Sequence, residues 1–324
     1  MKTADLHCDT ISLLLEKRRA GEKQELLKNN LHVDLQKMRS ADYLLQNFAL
    51  FVDQGSCKDV YEEAKEEYRL FTEEMEKNSD SISQIFCFED LKKNAEENRI
   101  SALLAVEEGE VCQGSLDILK EFYDLGTRMM TLVWNYDNSL STSAVKQSCP
   151  VSRKYSGSRE GLTETGLEFV QRMEELGMIP DVSHMSDEGI EDMFQVAKKP
   201  FAASHSNARK LCPKKRNLPD HFLKKLGERG CLIGVNFYSE FLKSGAEVSR
   251  NDRIADHILY LVNKAGIESV GLGSDFDGID CQLEMKHCGN MQTLAETLFK
   301  RGLTATQIER IFYKNVMSFY RELL

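Results

Sequence analysis

The chain has 324 residues, of which 41% are hydrophobic and 29% are charged, an ordinary composition for a globular protein. Its net charge of -10 argues against a nucleic-acid-binding surface, which would need a basic patch, and gives no reason to expect binding to an anionic membrane. The length suits one large α/β domain or two ordinary ones.

The sequence carries no signal that would direct it to a membrane or out of the cell. Met1-Lys2-Thr3 runs straight into a strand-like segment without the apolar region of a signal peptide. No stretch approaches the roughly 20 apolar residues of a membrane span. Nine cysteines occur without a CxxC pair, which is typical of free thiols in a reducing compartment. We therefore expect a cytoplasmic protein without a membrane partner.

Short apolar runs recur along the chain, each followed by a longer charged segment. Continuous apolar runs of this length are typical of strands buried on both faces of a parallel sheet. In chain order the eight runs are TADLHCD, QNFALFVD, SALLAVEE, MMTLVWN, MIPDVSH, PFAASHS, CLIGVNFY and SVGLGSDFD.

The segments between these runs have the pattern of helices. Three of them place apolar residues at i, i+3, i+4 and i+7 and end on a glycine that suits a helix C-cap, namely Gly126, Gly177 and Gly266. Residues 57–79 predict a long, heavily charged helix. Residues 135–165 predict a long loop after the fourth strand, and such loops often cover an active site.

Eight strand-plus-helix units in a chain of this length favour a single α/β domain over residues 1–324, folded as a (β/α)8 TIM barrel. A doubly wound open sheet is the main alternative. Its dinucleotide-binding version has little support, because no GxGxxG motif follows a strand.

Polar side chains collect at the carboxyl ends of the predicted strands. In a TIM barrel these ends converge on one face, where catalysis is found. A lone HxD is more often a polar strand end than a ligand pair, and DVSH or AASHS could each be a helix N-cap beside a histidine. Because such residues recur at five strand ends, we interpret them together as a functional site rather than as separate polar strand ends and helix caps. The residues at these ends are His7, Asp9, Glu107, Glu108, His184, His205, Asp275 and Asp277.

Three histidines, one aspartate and one glutamate would provide ligands for two metals, with Glu107 as the bridge. Nitrogen and oxygen ligands of this kind suit Zn²⁺ best, with Mn²⁺ or Co²⁺ as substitutes. Two neighbouring metals can hold a water between them, lower its pKa and polarise a carbonyl. A further carboxylate must then move protons. Asp275 is the candidate, because it is not needed as a ligand.

These residues lie in motifs that cover nearly the whole chain. The chain resembles the membrane dipeptidase (renal dipeptidase) family of zinc peptidases, which have barrels of the metal-dependent amidohydrolase type, and is similar to its bacterial members. The motifs are DLHCDT, LLAVEEGE, LGTRMMTLVWN, GLTETGLEFVQRMEELGMIPDVSHMSD, ASHSNAR, RNLPD, IGVNFY, AGIESVGLGSDFDGI and RGLTATQIERIFYKNVMSFYREL.

The resemblance implies a role for each candidate residue. His7 and Asp9 would bind the first zinc and His184 and His205 the second, with Glu107 bridging them and Asp275 acting on the bridging water and the leaving amine. The resemblance further implies that Arg216 and Tyr238 hold the free carboxylate of the substrate. An arginine fork is a natural carboxylate clamp. Without the resemblance, we would interpret Arg216 as part of a solvated basic run, KKR.

The sequence departs from the family pattern at two places. The family's bridging glutamate is typically followed by glycine, whereas Glu108 follows Glu107 here. This extra carboxylate could be turned away from the metals, or it could change the subsite for the substrate amine. Trp134 stands where the animal enzymes carry a histidine that contacts the scissile carbonyl. Both departures bear on the choice of substrate.

The sequence therefore leaves three functions open. The first is a binuclear zinc dipeptidase that uses a metal-bridging water on free dipeptides and tolerates a D-residue on the C-terminal side. The second is an amidohydrolase that acts on another small amide, such as an N-acyl amino acid or a lactam. The third is a metal-binding or regulatory protein without catalysis, which the complete set of ligand and catalytic residues argues against. The family often forms dimers, but no interface can be located from the sequence.

Overall fold

The computed structural model describes residues 1–155 and 159–324, and the described part contains eleven strands. The strands are β1 (Thr3–Asp5), β2 (Tyr43–Phe51), β3 (Ile82–Gln84), β4 (Ile100–Glu107), β5 (Thr127–Thr131), β6 (Ile179–Asp181), β7 (Ala202–Ala203), β8 (Leu232–Val235), β9 (Val248–Ser249), β10 (Val270–Leu272) and β11 (Gln282–Leu283).

Eight of these strands close a parallel barrel in the order β1-β2-β4-β5-β6-β7-β8-β10. The barrel is closed because β10 pairs with β1, at Asp5 and Leu272, as well as with β8. The predicted (β/α)8 fold is confirmed, and the alternative of an open, doubly wound sheet is wrong. Each of the eight apolar runs overlaps one barrel strand, although β2, β4 and β5 begin one to three residues before their runs. The sequence did not reveal β3, β9 and β11, because these are short and partly exposed and so lack a continuous apolar run.

Thirteen α-helices surround the barrel in the described part of the chain. They are α1 (Thr10–Arg19), α2 (Leu35–Ser40), α3 (Val60–Lys77), α4 (Phe88–Glu96), α5 (Leu116–Asp124), α6 (Glu164–Leu176), α7 (Asp187–Val196), α8 (Asp220–Glu228), α9 (Ser239–Leu242), α10 (Asn251–Ala265), α11 (Gln292–Lys300), α12 (Ala305–Glu309) and α13 (Asn315–Leu323). None of the helices in residues 1–155 and 159–324 is long and apolar enough to cross a membrane.

The helix ends agree with the glycine signals. Gly177 follows α6 with φ +85° and Gly266 follows α10 with φ +90°, which are conformations that glycine adopts without steric cost. The charged segment over residues 57–79 forms α3. The predicted loop over residues 135–165 is largely irregular where it is described, and its residues 156–158 lie outside the described part of the chain.

The amino end of the barrel is closed by the C-terminal helix. Val316, Phe319 and Tyr320 of α13 pack in one cluster with apolar side chains from the barrel strands. The Tyr320 hydroxyl and the Asn47 side-chain amide bond to each other inside this cluster, at 2.7 and 3.0 Å. The opposite, carboxyl end of the strands is therefore the end left open for chemistry.

Two glycines allow the barrel to close tightly beneath that open end. A Cβ atom on Gly234 or on Gly273 would lie 1.9 or 1.8 Å from the carbonyl oxygen of Ser204. Contacts this short with backbone atoms are not tolerated, so only glycine fits at either position. The close approach brings the residue after Ser204, the candidate ligand His205, next to the strands β8 and β10.

Candidate metal centre

The carboxylate of Glu107 lies among three histidine side chains. Its Oε2 atom is 3.1 Å from His7 Nε2, and its Oε1 atom is 3.0 Å from His184 Nε2 and 3.3 Å from His205 Nε2. The two histidines on the Oε1 side are themselves close, with their Nε2 atoms 3.0 Å apart. All four side chains are at least nine-tenths buried.

Two aspartates also lie close to His7. His7 Nε2 is 3.4 Å from Asp9 Oδ1 and 3.9 Å from Asp275 Oδ1. Two sets of three possible ligand atoms each lie within 4.8 Å of one another: His7, Glu107 and His205 form one set, and His7, Asp9 and Asp275 form the other. The structure thus brings together all five predicted metal ligands and the predicted proton carrier.

The backbone around the cluster is strained. His184 has φ +69° and Asp275 has φ +62°, values in the left-handed region that non-glycine residues seldom adopt. Each lies three residues beyond a barrel strand, where the chain turns out of β6 or β10. Strained conformations of this kind persist where the surrounding structure holds them, and they concentrate at functional sites.

Hydrogen bonds orient the imidazoles so that Nε2 points at Glu107. His205 Nδ1 is 2.8 Å from the Ser204 hydroxyl, which in turn donates to Asp181. His184 Nδ1 is 3.0 Å from the side-chain oxygen of Asn135. Partners of this kind fix the tautomer and the direction of a metal-binding histidine.

Four supporting residues were missed by the sequence reasoning: Asp5, Asp181, Asn135 and Asn236. Asp5 and Asp181 are fully buried and accept backbone N–H groups at the strand ends, from Ser274 at 2.9 Å and from Ser204 at 2.8 Å. A signal for them exists, since each is an acidic residue inside an otherwise apolar strand. Nothing local marks Asn135 or Asn236, because their partners are distant in the chain.

Asp275 is held by one of these residues. The Asn236 side-chain amide donates to Asp275 Oδ2 at 2.7 Å, so Oδ1 is the oxygen that faces His7. Burial, together with the nearby carboxylates of Asp9 and Glu107, raises the pKa of Asp275 above its ordinary range. A carboxyl group with a raised pKa is suited to exchanging a proton near neutral pH.

The charges in the cluster depend on one another. Burial opposes the protonation of His7, but the carboxylates of Glu107 and Asp9 outweigh this effect and raise its pKa well above the ordinary value. Burial lowers the pKa of His184 to about 4 and also lowers that of His205. Two neutral imidazoles beside carboxylates are the protonation states that metal binding needs.

The donor set fits divalent metal ions. His7 Nε2 and Asp9 Oδ1 are buried and lie close to each other and to Glu107, but neither makes a well-aligned hydrogen bond in residues 1–155 and 159–324. Buried polar atoms are normally paired, because leaving one unpaired costs about 1–3 kcal/mol. A cation between these atoms and Glu107 would satisfy both, and imidazole with carboxylate is a donor set that Zn²⁺ and its neighbours accept.

A cavity of about 360 Å³ opens beside the cluster. Its wall includes Glu107, His184 and Asp275 as well as Trp134 and Tyr238. The size is at the lower end of the range for small-molecule sites. Both Trp134 and Tyr238, which were predicted to contact a substrate, therefore lie where a substrate could reach them.

Arg216 is buried next to the histidines rather than solvated. Its Nη1 donates to the Ser206 hydroxyl at 3.2 Å and its Nη2 to the His205 carbonyl at 3.1 Å. Its Nε atom has no partner within the described residues. Burial lowers the pKa of the guanidinium to about 10, so it stays charged at neutral pH. The interpretation of Arg216 as part of an exposed basic run is wrong.

Comparison with known proteins assigns nearly the whole chain to one family. The model of the family described as membrane dipeptidase, peptidase family M19, matches residues 1–323. The chain belongs to the membrane dipeptidase family. This is a family of metallopeptidases, so metal ions and a small peptide substrate are the family's expectation for the cluster and its cavity.

Individual relatives agree with membership of the dipeptidase family. Two uncharacterized dipeptidases of Schizosaccharomyces pombe are 33% and 34% identical to the chain, over 76% and 69% of its length. The matches span only 61% and 53% of the lengths of these relatives. A crystal structure of a Rhodobacter sphaeroides metallo peptidase has a TM-score of 0.91 at 21% identity, covering 100% of this chain and 99% of that one, and so shares the fold.

The structure shows the direction of the Glu108 side chain, which the sequence left open. Glu108 follows the last residue of β4, and its carboxylate accepts hydrogen bonds from the backbone of Trp134 and Glu110 and from the side chain of Asn138. It is fully buried, away from the cavity wall. In this member of the dipeptidase family, the extra carboxylate is turned away from the candidate metal ligands.

Proposed function

We propose that the chain is a binuclear zinc dipeptidase that hydrolyses the peptide bond of free dipeptides, L-D dipeptides among them, and that residues 1–324 form one catalytic domain. The observation that carries the proposal is the position of Glu107, whose two oxygens face different histidines at the wall of a cavity. The buried Arg216 lies behind this wall, 5.6 Å from the ring centre of Phe241. Membership of the membrane dipeptidase family supports it.

Five side chains would hold the metals in this proposal. His7 and Asp9 would hold one ion, His184 and His205 the other, and Glu107 would bind both through its separate oxygens. Divalent ions bound there would supply Lewis acidity, which activates water and polarises a carbonyl group. Zinc is the ion proposed, with Mn²⁺ or Co²⁺ as substitutes, because the ligands are imidazole and carboxylate.

Asp275 would move the proton. Its Oδ2 is fixed by Asn236, so its Oδ1 is free to accept a proton from the attacking water and to deliver it to the departing amine nitrogen. The raised pKa of this buried carboxyl supports the role, since the proton must stay on it between the two transfers.

Arg216 and Tyr238 would bind the free carboxylate of the dipeptide. A buried guanidinium without a carboxylate partner among the described residues has a charge to satisfy, and its Nε atom is unpaired. Trp134 would form the wall beside the scissile bond. The Rhodobacter sphaeroides metallo peptidase is liganded with a phosphinate mimic of L-Ala-D-Ala, which supports including L-D dipeptides among the substrates.

The test is a small panel of amides and the purified, zinc-loaded protein. It contains L-L and L-D dipeptides, an N-acetylated dipeptide, a dipeptide amide and a tripeptide. We expect turnover of free dipeptides only, because in this proposal the buried arginine recognises the free carboxylate of the residue that follows the scissile bond. Hydrolysis of the N-acetylated substrate instead would favour the amidohydrolase that acts on N-acyl amino acids or lactams. No turnover of any amide would favour a metal-binding protein without catalysis.

A further inference from the structure

Glu108 is a buried carboxylate that the proposed reaction does not use. It has no exposed surface, and its backbone adopts φ +106°, outside the regions that non-glycine residues normally occupy. No arginine, lysine or histidine within the described part of the chain lies within ion-pair distance of it. A buried acidic group in a strained conformation, held without a cation, requires a reason.

The hydrogen bonds of Glu108 lead to the loop after β5. Its Oε2 accepts the backbone N–H of Trp134 at 3.2 Å, and its Oε1 accepts the backbone N–H of Glu110 at 2.9 Å as well as the side-chain amide of Asn138. Asn138 in turn donates to the carbonyl of Leu132 at 2.9 Å and accepts backbone N–H groups further along the loop. The carboxylate is therefore one of the anchors of residues 132–141, together with the Ser143 hydroxyl, which donates to the Trp134 carbonyl at 2.6 Å.

The segment held in this way reaches the metal centre and the cavity. The Trp134 ring lies in the cavity wall, 4.8 Å from the ring of Phe51 and 6.0 Å from that of His184. The next residue, Asn135, places its side-chain oxygen 3.0 Å from His184 Nδ1. Only one peptide unit separates the backbone atom bound by Glu108 from the residue that orients His184, so a displacement of the first is transmitted to the second.

We propose that Glu108 is a positioning residue: its carboxylate holds the Trp134–Asn138 segment so that Trp134 walls the substrate cavity and Asn135 orients His184. Its carboxylate bonds to the loop and to Glu110, and does not line the cavity or pair with the candidate metal ligands. The expected change in kcat/KM rests on the proposed dipeptidase function. The expected changes in Trp134 emission and in zinc affinity do not depend on it.

Trp134 makes the proposal directly measurable, because it is the only tryptophan in the chain. Glu108→Gln keeps the size of the side chain but turns one acceptor oxygen into an NH₂ group that would face a donor. We expect the Trp134 emission to shift to longer wavelength and to become more easily quenched by acrylamide. Zinc should dissociate about tenfold more readily, in line with the 10–100-fold losses seen when a partner that orients a ligand is removed. Loss of precise positioning should lower kcat/KM by roughly tenfold or more, mainly through kcat.

Glu174→Gln is the matched control. Glu174 of α6 is also a buried carboxylate that clamps a loop, since it accepts the backbone N–H groups of Lys198 and Lys199, both at 2.8 Å. These bonds do not involve the cavity wall. Glu174→Gln should lose about as much thermal stability as Glu108→Gln does. It should keep the emission, the zinc affinity and the kinetics of the wild type. If Glu108→Gln does not fold, Asn138→Ala, which removes a donor to Glu108 from the loop side, is measured in its place.

These measurements distinguish the positioning role of Glu108 from the proposed dipeptidase function. A shifted emission with weaker zinc binding in the Glu108 variant, but not in the Glu174 variant, supports the positioning role. Wild-type emission and quenching in a folded Glu108→Gln protein would overturn it, as would an emission shift that leaves zinc affinity unchanged. If the wild type hydrolyses no dipeptide, the proposed function fails, while emission and zinc affinity still decide the role of Glu108.

Discussion

The two ends of the barrel are built from the same eight strands but carry different side chains. At the carboxyl end, imidazoles and carboxylates cluster around Glu107, and His184 has a strained backbone. At the amino end, α13 closes the barrel with apolar side chains, and the hydroxyl of Tyr320 is paired with Asn47.

Stability and chemistry therefore depend on different ends of the barrel. The left-handed backbone at His184 and at Asp275 costs about 1–3 kcal/mol each, so the carboxyl end lowers the free energy of unfolding of the metal-free protein. Burial of apolar side chains at the amino end offsets this cost. We therefore expect changes at the carboxyl end to alter activity and metal binding, and changes at the amino end to alter stability alone.

The largest expected effect is on activity, at the carboxyl end. Asp275→Asn keeps the shape of the side chain but removes the group that carries the proton, so kcat should fall by roughly 10²- to 10⁴-fold. The zinc content by elemental analysis and the melting temperature should stay near those of the wild type. If the variant retained wild-type turnover, Asp275 would not be the proton carrier.

The amino end should show the opposite behaviour. Tyr320→Ala removes a fully buried aromatic side chain and should lower the free energy of unfolding by about 3–5 kcal/mol in urea denaturation. Tyr320→Phe, which loses only the bonds to Asn47, should cost about 1 kcal/mol. Both variants should keep the kcat of the wild type where they are folded, and a lower kcat in Tyr320→Phe would contradict the separation of the two ends.

Removal of one candidate ligand should change both metal binding and stability. We expect His184→Ala to lose one zinc ion per chain, because His184 is one of two histidines on the Oε1 side of Glu107. Zinc that binds only the folded state stabilises it by about 2.7 kcal/mol at 100 times its Kd, and the variant should lose this gain for one ion. The melting temperatures with and without added zinc measure the effect. An unchanged zinc content would rule out His184 as a ligand.

The smallest effect concerns pH and lies outside both ends. His257 of α10 accepts the backbone N–H of Ala208 at Nδ1, 3.1 Å away, while its Nε2 lies 3.0 Å from the carbonyl of Leu242. Burial lowers its pKa below the ordinary 6.5. As the pH falls below about 6.5, the unfolded chain therefore binds a proton that the folded protein does not, and stability decreases by at most about 1.4 kcal/mol per pH unit.

His257→Gln should remove this component. The difference in free energy of unfolding between the wild type and the variant, measured in urea with the metals removed, should become smaller as the pH falls from 7.5 to about 5. A difference that stays constant over this range would show that His257 does not contribute to the acid sensitivity, which would then belong to the metal centre.

The strands and the candidate ligands could be predicted because both are local features. A buried parallel strand needs a continuous apolar run, and each of the eight runs overlaps a barrel strand. The ligands follow from topology, because closing the barrel brings strand ends such as those before His7, Glu107 and His205 to one face. Family motifs added Arg216 and Tyr238, which no local pattern marked.

The remaining features depend on pairs of residues far apart in the chain. From the sequence, the Glu108 side chain could turn away from the metals or change the subsite for the substrate amine, and its bond to Trp134, 26 positions away, gives its direction. Arg216 looks solvated until the packing around His205 buries it. The support of His184 by Asn135 and the closure of the barrel by Tyr320 have the same origin. A sequence pattern records which side chains are apolar and where strands end, whereas the direction of a polar side chain is set by the partners that the folded chain brings to it.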